Sequence, residues 1–336
     1  MDNKNRLNSF IGILLGIVFL ILWLRIINWQ EFIHYFKNFE LKSVLFFSLF
    51  YVFAYFIRSF RWKIILNPIY KMKISESFAI FMSGLLINYL VPVRAGEVAK
   101  SVILKNKREV RISKSLPTVF IDKLCDLFPI VLILILIPLL SVKMNPALYI
   151  IIILLFFIFL AFLGFLIFSI NHKSKAAKIL HSLLKLLPKK LRLRFEDFFT
   201  NFVDGMTIMQ NRYSAIFLVC LLTLCAVLSE ALYIFAVFRA FGSDICYWKI
   251  LFGYTLMNLT YILPTPPAQI GSNQFMWVLI FSFAVGINEN LTSAAVTFSH
   301  LLTSIWIFLI GEFSLLALKI KFHDLVSKKV LAQKSC

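Results

Sequence analysis

Two apolar stretches of this chain stop at a proline before they could cross a lipid bilayer, while six others run on as full spans. The six are roughly Phe10–Ile27, Val44–Leu66, Leu127–Val142, Ala147–Ile170, Tyr213–Phe238 and Leu291–Leu318. The two short ones, Phe78–Val91 and Ile250–Leu263, hold 14 residues each. As helices these reach about 21 Å, against a hydrocarbon core about 30 Å thick. Pro92 and Pro264 follow them. Proline removes a backbone donor and disfavours helix in the residue before it, so each short run reads as the inbound arm of a re-entrant hairpin. The expected fold is an all-α polytopic membrane protein of about six spanning helices and two hairpins. With 60% hydrophobic residues and 37 Phe among 336, a soluble domain could not hide its apolar surface.

Charge sets the orientation. The net charge of +19 would point to nucleic acid in a soluble protein. Here the basic residues flank apolar runs, where they control topology and meet anionic headgroups of the inner leaflet, so no nucleic-acid partner is expected. Lys4 and Arg6 place the N-terminus in the cytoplasm, and the second span returns at Arg58, Arg61, Lys63, Lys71 and Lys73. If the first hairpin enters and turns back, Lys100, Lys105, Lys107, Arg108, Arg111 and Lys114 stay near the cytoplasm. Two further spans lead to the basic loop 171–212, whose "KILHSLLKLLPKKLRLRF" has the pattern of an amphipathic helix lying on the anionic leaflet. The tail 319–336 is cytoplasmic only if the second hairpin dips in from outside. The first span lacks a small-residue cleavage pattern and reads as a retained helix.

The two breaks resemble each other. "ISESFAIFMSGLLINYLVP" ends at Pro92 and "ICYWKILFGYTLMNLTYILP" at Pro264. With the topology above, 1–145 and 146–318 become oppositely oriented copies within a single membrane domain, 1–336. Inverted repeats whose broken helices meet near the midplane recur in secondary transporters. Non-helical backbone at that depth must be buried in protein or line a polar cavity.

Candidate site residues cluster at the breaks. "NYLVPVRAGE" supplies Asn88, Pro92, Arg94, Gly96 and Glu97. Ionisable residues inside a membrane are costly and point to function, although an Arg94–Glu97 pair could equally hold the hairpin shut. Gly96 permits a sharp turn or a backbone that sits close to a headgroup. Asp122 and Asp126, four apart in "DKLCD", share a helix face within reach of Arg94. "PTPPAQIGSNQ" breaks the backbone at Pro264, Pro266, Pro267 and Gly271, and offers Asn273 and Gln274 to a headgroup; capping of the next helix is the preferred role for Asn273. Glu230 and His300 lie within spans and could line the path. Five cysteines form no CxxC pair and no metal spacing. GxxxxGK[ST], HExxH and GxSxG are absent. No metal and no cofactor is expected.

At these positions the chain resembles the lysylphosphatidylglycerol synthase transmembrane-region family of flippase-like membrane proteins. Arg61–Trp62 matches the family's RW at the end of the second span, a structural or interfacial position. Asn88, Pro92, Arg94, Gly96 and Glu97 match N-x-x-x-P-x-R-x-G-E. Asp122, Lys123 and Asp126 match an acidic–basic–x–x–Asp signature, with Lys for the commoner Arg. Pro264, Pro267 and Gly271 match a late P-x-x-P-G-x-[IL]-G-x-x-E, in which Ala268 replaces the usual Gly and Gln274 the usual Glu. The likeness covers essentially the whole chain. It implies movement of a lipid with a polar, charged or sugar-bearing headgroup between leaflets of a prokaryotic cell membrane, with a lipid-synthesis enzyme as a possible partner. The lysine-attaching synthase domain of the best-known relatives is not expected within 1–336. The alternatives are a membrane component or scaffold of aminoacyl-phosphatidylglycerol or glycolipid synthesis, and an intramembrane lipid transferase using Asp122, Asp126 or Glu97 as base. No nucleophile–base constellation supports an enzyme.

The topology is testable with single cysteines in a Cys-free background. An impermeant maleimide added outside should label positions in 239–249 and spare those in 171–212. Equal labelling of both would end the inverted-repeat argument.

Overall fold

The computed structural model describes residues 3–37, 39–91, 95–126, 128–129, 146–186, 212–260 and 266–320, with scattered positions between 188 and 203. Its elements are all helical among these residues. They are α1 (Asn3–Ile26), α2 (Trp29–His34), α3 (Leu41–Leu66), α4 (Ile74–Leu90), α5 (Ala95–Arg108), α6 (Ile112–Cys125), α7 (Pro146–Asn171), α8 (Lys173–Leu183), α9 (Tyr213–Ala240), α10 (Tyr247–Thr260), α11 (Ser272–Trp277) and α12 (Glu289–Ala317). Among the described residues α3, α9 and α12 are long and apolar enough to cross a membrane. α7 has 26 residues without one charge. Five of the expected spans coincide with α1, α3, α7, α9 and α12. The expected span Leu127–Val142, the tail 321–336 and most of 187–211 lie outside the described residues, as do Pro92, Arg94 and Pro264. The expected amphipathic helix is described over α8, which carries Lys173, Lys175 and Lys178.

Large apolar side chains cover the exterior, and a set of charged and polar groups is buried within an otherwise apolar core. Phe217, Phe313 and Leu316 are each 72% exposed, whereas Arg61 is 1% and Lys100 2% exposed. A bundle of this kind has a lipid-facing exterior and must satisfy its polar groups internally. α3 and α9 form the central pair, α3 packs on α4, α9 packs on α10, and α12 lies against α4.

The chain turns back after α4. Asn88 Nδ2 donates to Glu97 Oε1 at 3.0 Å, Asn88 Oδ1 accepts from the Gly96 amide at 2.7 Å, and Arg108 Nε meets Glu76 Oε1 at 2.6 Å. These pairings set α4 and α5 antiparallel, so Phe78 to Leu104 is not one continuous helix. Close approach depends on two glycines. A Cβ on Gly96 would overlap the Gly84 carbonyl, and one on Gly84 would sit 2.8 Å from Lys100 Cγ. Gly96 therefore serves helix contact within α5, not a sharp turn.

The second break has a comparable construction. α10 ends at Thr260, and Pro267–Gln269 forms a short 3₁₀ turn before α11, which continues as a π-helical segment over Val278–Ala284. Gly253 of α10 admits the ring of Phe281 from that segment, since a Cβ there would lie 2.5 Å from Cε1. α1 closes over this region: a Cβ on Gly271 would lie 2.6 Å from the Gly16 carbonyl, and one on Gly16 would lie 2.8 Å from Pro266 Cβ. α2 is capped by Asn28, and its Glu31 accepts from Asn288 and Asn290 beside the start of α12 at 3.1 and 2.6 Å.

Replacing Gly96 with Ala should separate α4 from α5 and destabilise the protein by about 1–3 kcal/mol or more, the usual cost of overpacking. Ala at Gly242, with open space around it, tests only the strain of its φ of 81°. Thermal unfolding in detergent measures both, and a Gly96→Ala variant as stable as the parent would contradict the close packing.

Candidate functional site

Two arginines on α3 organise the interior. Arg58 and Arg61 lie three apart, so they share a helix face, and that face points at α6, α9 and α10. Arg61 donates from Nε to Asp122 Oδ1 at 2.7 Å, from one terminal nitrogen to the Asp122 carbonyl and Asp126 Oδ1 at 2.9 Å each, and from the other to Thr223 Oγ1 at 3.0 Å. Arg58 pairs with Glu230 Oε2 at 2.5 Å and with the Tyr254 hydroxyl at 3.1 Å. It also lies 3.9 Å from Asp126 Oδ1 and 5.0 Å above the Tyr55 ring. Lys123 Nζ holds the other Asp126 oxygen at 2.8 Å. Neighbouring Trp62 donates to Thr118 Oγ1 at 3.3 Å. One polar cluster thus joins α3, α6, α9 and α10 where hydrocarbon would otherwise fill the core.

The first hairpin adds a separate charge pair. Lys100 Nζ meets Glu97 Oε2 at 2.8 Å and lies 3.9 Å from the centre of the Phe81 ring. A neutral chain runs from the second hairpin. The Gly271 amide donates to Gln274 Oε1 at 2.9 Å, Gln274 Nε2 meets His300 Nδ1 at 3.0 Å, and His300 Nε2 meets the Tyr89 hydroxyl at 3.1 Å. Tyr89 also bonds Ser304. With Gln274 Oε1 taken by the Gly271 amide, its Nε2 is the donor to Nδ1, and the tautomer assigned on that basis carries its proton on Nε2, facing Tyr89.

These groups surround a cavity of about 170 Å³, lined among others by Arg58, Asn88, Glu97, Lys100, Lys123, Asp126, Glu230, Asn273 and His300. Asn258 Nδ2, Asn273 Oδ1 and Glu97 Oε2, on lining residues, are buried without a hydrogen-bond partner of good geometry, Glu97 Oε2 being held by the Lys100 charge at 2.8 Å. Ala268 and Gln269 hold φ of 52° and 54° beside the cavity. A left-handed residue other than glycine is strained, and Ala268 stands where the family pattern has Gly.

The structure thus brings together Asn88, Glu97, Asp126, Glu230, Asn273, Gln274 and His300. Arg94 and the prolines at 92 and 264 lie outside the described residues. Several expectations are corrected. Asp122 and Asp126 both meet Arg61, and Asp126 also meets Lys123; their expected reach to Arg94 lies outside the described residues. Arg61 and Trp62 are buried, as are Arg58 and Lys100, which sequence reading set among charges facing the cytoplasm. The α11 terminus is closed by Gln274 receiving the Gly271 amide, not by Asn273. Arg58, Lys100, Tyr89, Tyr254 and Asn258 were missed. Lys100 follows Glu97 at helical spacing, a signal for pairing that the positive-inside argument overrode. Arg58 had a subtler one: Glu230 lies 172 residues on. The same 172 separate Pro92 from Pro264, Leu41 from Tyr213 at the starts of α3 and α9, and Ala95 from Pro267 after the breaks.

A helical bundle with an apolar exterior, buried ion pairs and a polar internal cavity is a membrane-embedded protein. Residues 9–311 match the family described as Lysylphosphatidylglycerol synthase TM region, and the chain belongs to it. It is also similar to a UPF0104 membrane protein of Methanothermobacter thermautotrophicus, with 24% identity over 235 residues, 67% of this chain and 68% of the relative. No solved structure matches.

Removing one partner of a buried pair strands the other. Arg61→Met should cost about 3–5 kcal/mol by leaving Asp122 unpaired in the core. Arg108→Ala breaks the exposed pair with Glu76 and should leave stability essentially unchanged. Denaturant unfolding in detergent compares them; equal effects would contradict a structural role for the Arg61 cluster.

Proposed function

We propose that this protein moves lipids between leaflets, with the headgroup passing through the internal cavity and the tails remaining in the surrounding bilayer. The observation that carries this reading is a polar, partly open cavity set between two chain reversals, inside a bundle whose exterior is apolar. A headgroup cannot cross hydrocarbon unaided, because an isolated charge there costs several kcal/mol or more. Fixed polar groups that replace water lower that barrier.

The common 172-residue spacing supports an inverted repeat of 1–145 and 146–318. In such a repeat Arg58 and Glu230 occupy equivalent positions in the two halves, and they pair with each other at 2.5 Å. Contact between equivalents would put the pair near an axis relating the halves, where opposed motion of the two hairpins would pivot. Six spans and two re-entrant hairpins, with both termini in the cytoplasm of a prokaryotic cell, complete this reading. The membrane lipids, including anionic headgroups at the inner leaflet, are the partners, and a lipid-synthesis enzyme would supply the cargo.

Transport is favoured over catalysis by the state of the carboxylates. Glu97, Asp122, Asp126 and Glu230 are each engaged by a cation within 3 Å. A general base needs an accessible lone pair aimed at substrate, whereas carboxylates already held by cations fix the polar wall past which a headgroup moves.

Proteoliposomes reconstituted with the full chain test this. Glu97→Gln and Arg94→Lys should slow translocation on the order of tenfold or more, equivalent to about 1.4 kcal/mol at the barrier, while folded protein still accumulates. Lysine keeps the charge of arginine but loses its paired donors. Variants that move lipid at the parental rate would remove both residues from the path, and a lipid of altered mass would favour the transferase instead.

A further inference from the structure

We infer that the headgroup taken by this cavity is uncharged and hydroxyl-rich, a sugar ring borne by a lipid, read by Asn258 and Asn273. This deepens the lipid-transport reading and rests on it.

Among the described residues, the charged side of the cavity is internally balanced. Arg58 is held by Glu230, Lys100 by Glu97, and Lys123 by Asp126. A headgroup with net charge would have to break one of these pairs and leave its partner stranded in a low-dielectric interior. An uncharged headgroup leaves every pair in place.

Where the lining is neutral, hydrogen-bonding capacity is left over. Asn258 Nδ2 and Asn273 Oδ1 are buried with no partner. Amide orientation is assigned from the surrounding network, and turning either side chain would exchange a donor for an acceptor. A hydroxyl satisfies both cases because it donates and accepts. Phosphate and carboxylate oxygens only accept, and an ammonium only donates. Burying an amide atom without a partner is unfavourable, and a hydroxyl reaching either asparagine would relieve that cost.

The rest of the lining fits a ring with apolar faces and polar edges. Tyr55, Tyr233, Tyr254 and Trp277 contribute aromatic surface. The C–H faces of a pyranose lie on such rings while its hydroxyls reach the amides at the edge. At about 170 Å³ the space is below the roughly 300–1,000 Å³ of drug-sized pockets, so it suits one ring and not an oligosaccharide.

The test uses the full-length protein in nanodiscs of phosphatidylethanolamine and phosphatidylglycerol. Thermal unfolding is followed as the discs are doped with monoglucosyl diacylglycerol, phosphatidylcholine or lysylphosphatidylglycerol, or as methyl glucoside is added in solution. The glucosyl lipid should raise the midpoint and the other three additions should not. Asn258→Leu and Asn273→Leu should weaken half-saturation by the glucosyl lipid about tenfold, near 1.4 kcal/mol. Without it they should unfold no earlier than the parent, because leucine removes an unpaired buried polar atom. A purely structural role for the asparagines would lower that midpoint, and leucine variants that bind normally would likewise overturn their assignment. Stabilisation by phosphatidylcholine or lysylphosphatidylglycerol but not by the glucosyl lipid overturns the headgroup class and leaves lipid transport standing. Methyl glucoside acting as strongly as the lipid would make a soluble sugar the ligand. No response to any addition would count against both readings.

Discussion

Arg61 and its two aspartates hold the interior of this protein together. A guanidinium at 1% exposure with Asp122 at 2.7 Å and Asp126 at 2.9 Å ties α3 to the end of α6. The same arginine reaches Thr223 on α9. Arginine suits this position because its planar fork engages several acceptors at once, where an ammonium would act as a point charge. Asp126 is shared among Arg61, Lys123 and, more distantly, Arg58, so the cluster behaves as a network in which no member can be removed without unbalancing another.

The cavity is a consequence of that arrangement. Long apolar helices pack by filling space between them with side chains, and nothing in such packing requires a polar hollow. Here the ion pairs between α3, α6, α9 and α10 line one side, and the two chain reversals bring Asn88, Glu97, Gln269 and Asn273 to the same region. Glycines make the reversals compact. Gly84 and Gly96 let α4 and α5 touch, Gly253 receives Phe281, and Gly16 and Gly271 let α1 seal the second break. The neutral Gln274–His300–Tyr89 chain then links the second hairpin to the first through α12. Gln274 keeps this link neutral.

Arg58 and Glu230 lie 172 residues apart and meet in the interior. Under the proposed repeat they would be equivalent positions of the two halves. A symmetric pair of arginines or of glutamates would repel there, and opposite signs make the contact a bond.

By itself the sequence determined the helical class, the positions of α1, α3, α7, α9 and α12, the two interruptions, and the family. Each depends on local information: apolar run length against bilayer thickness, proline's missing donor, and motif spacing. It also marked Asn88, Glu97, Asp126 and Gln274 as polar residues out of place in apolar surroundings. Tertiary structure alone decided their partners. Charge counting along the chain set Arg58, Arg61 and Lys100 in the cytoplasm, because a basic residue beside an apolar run has the same one-dimensional signature whether it faces water or a buried carboxylate. Asp122 is 61 residues from Arg61 in sequence and Glu230 is 172 from Arg58. Such pairings arise only when helices distant in the chain are brought side by side, and the energy that favours them is the cost of leaving either charge alone in the core.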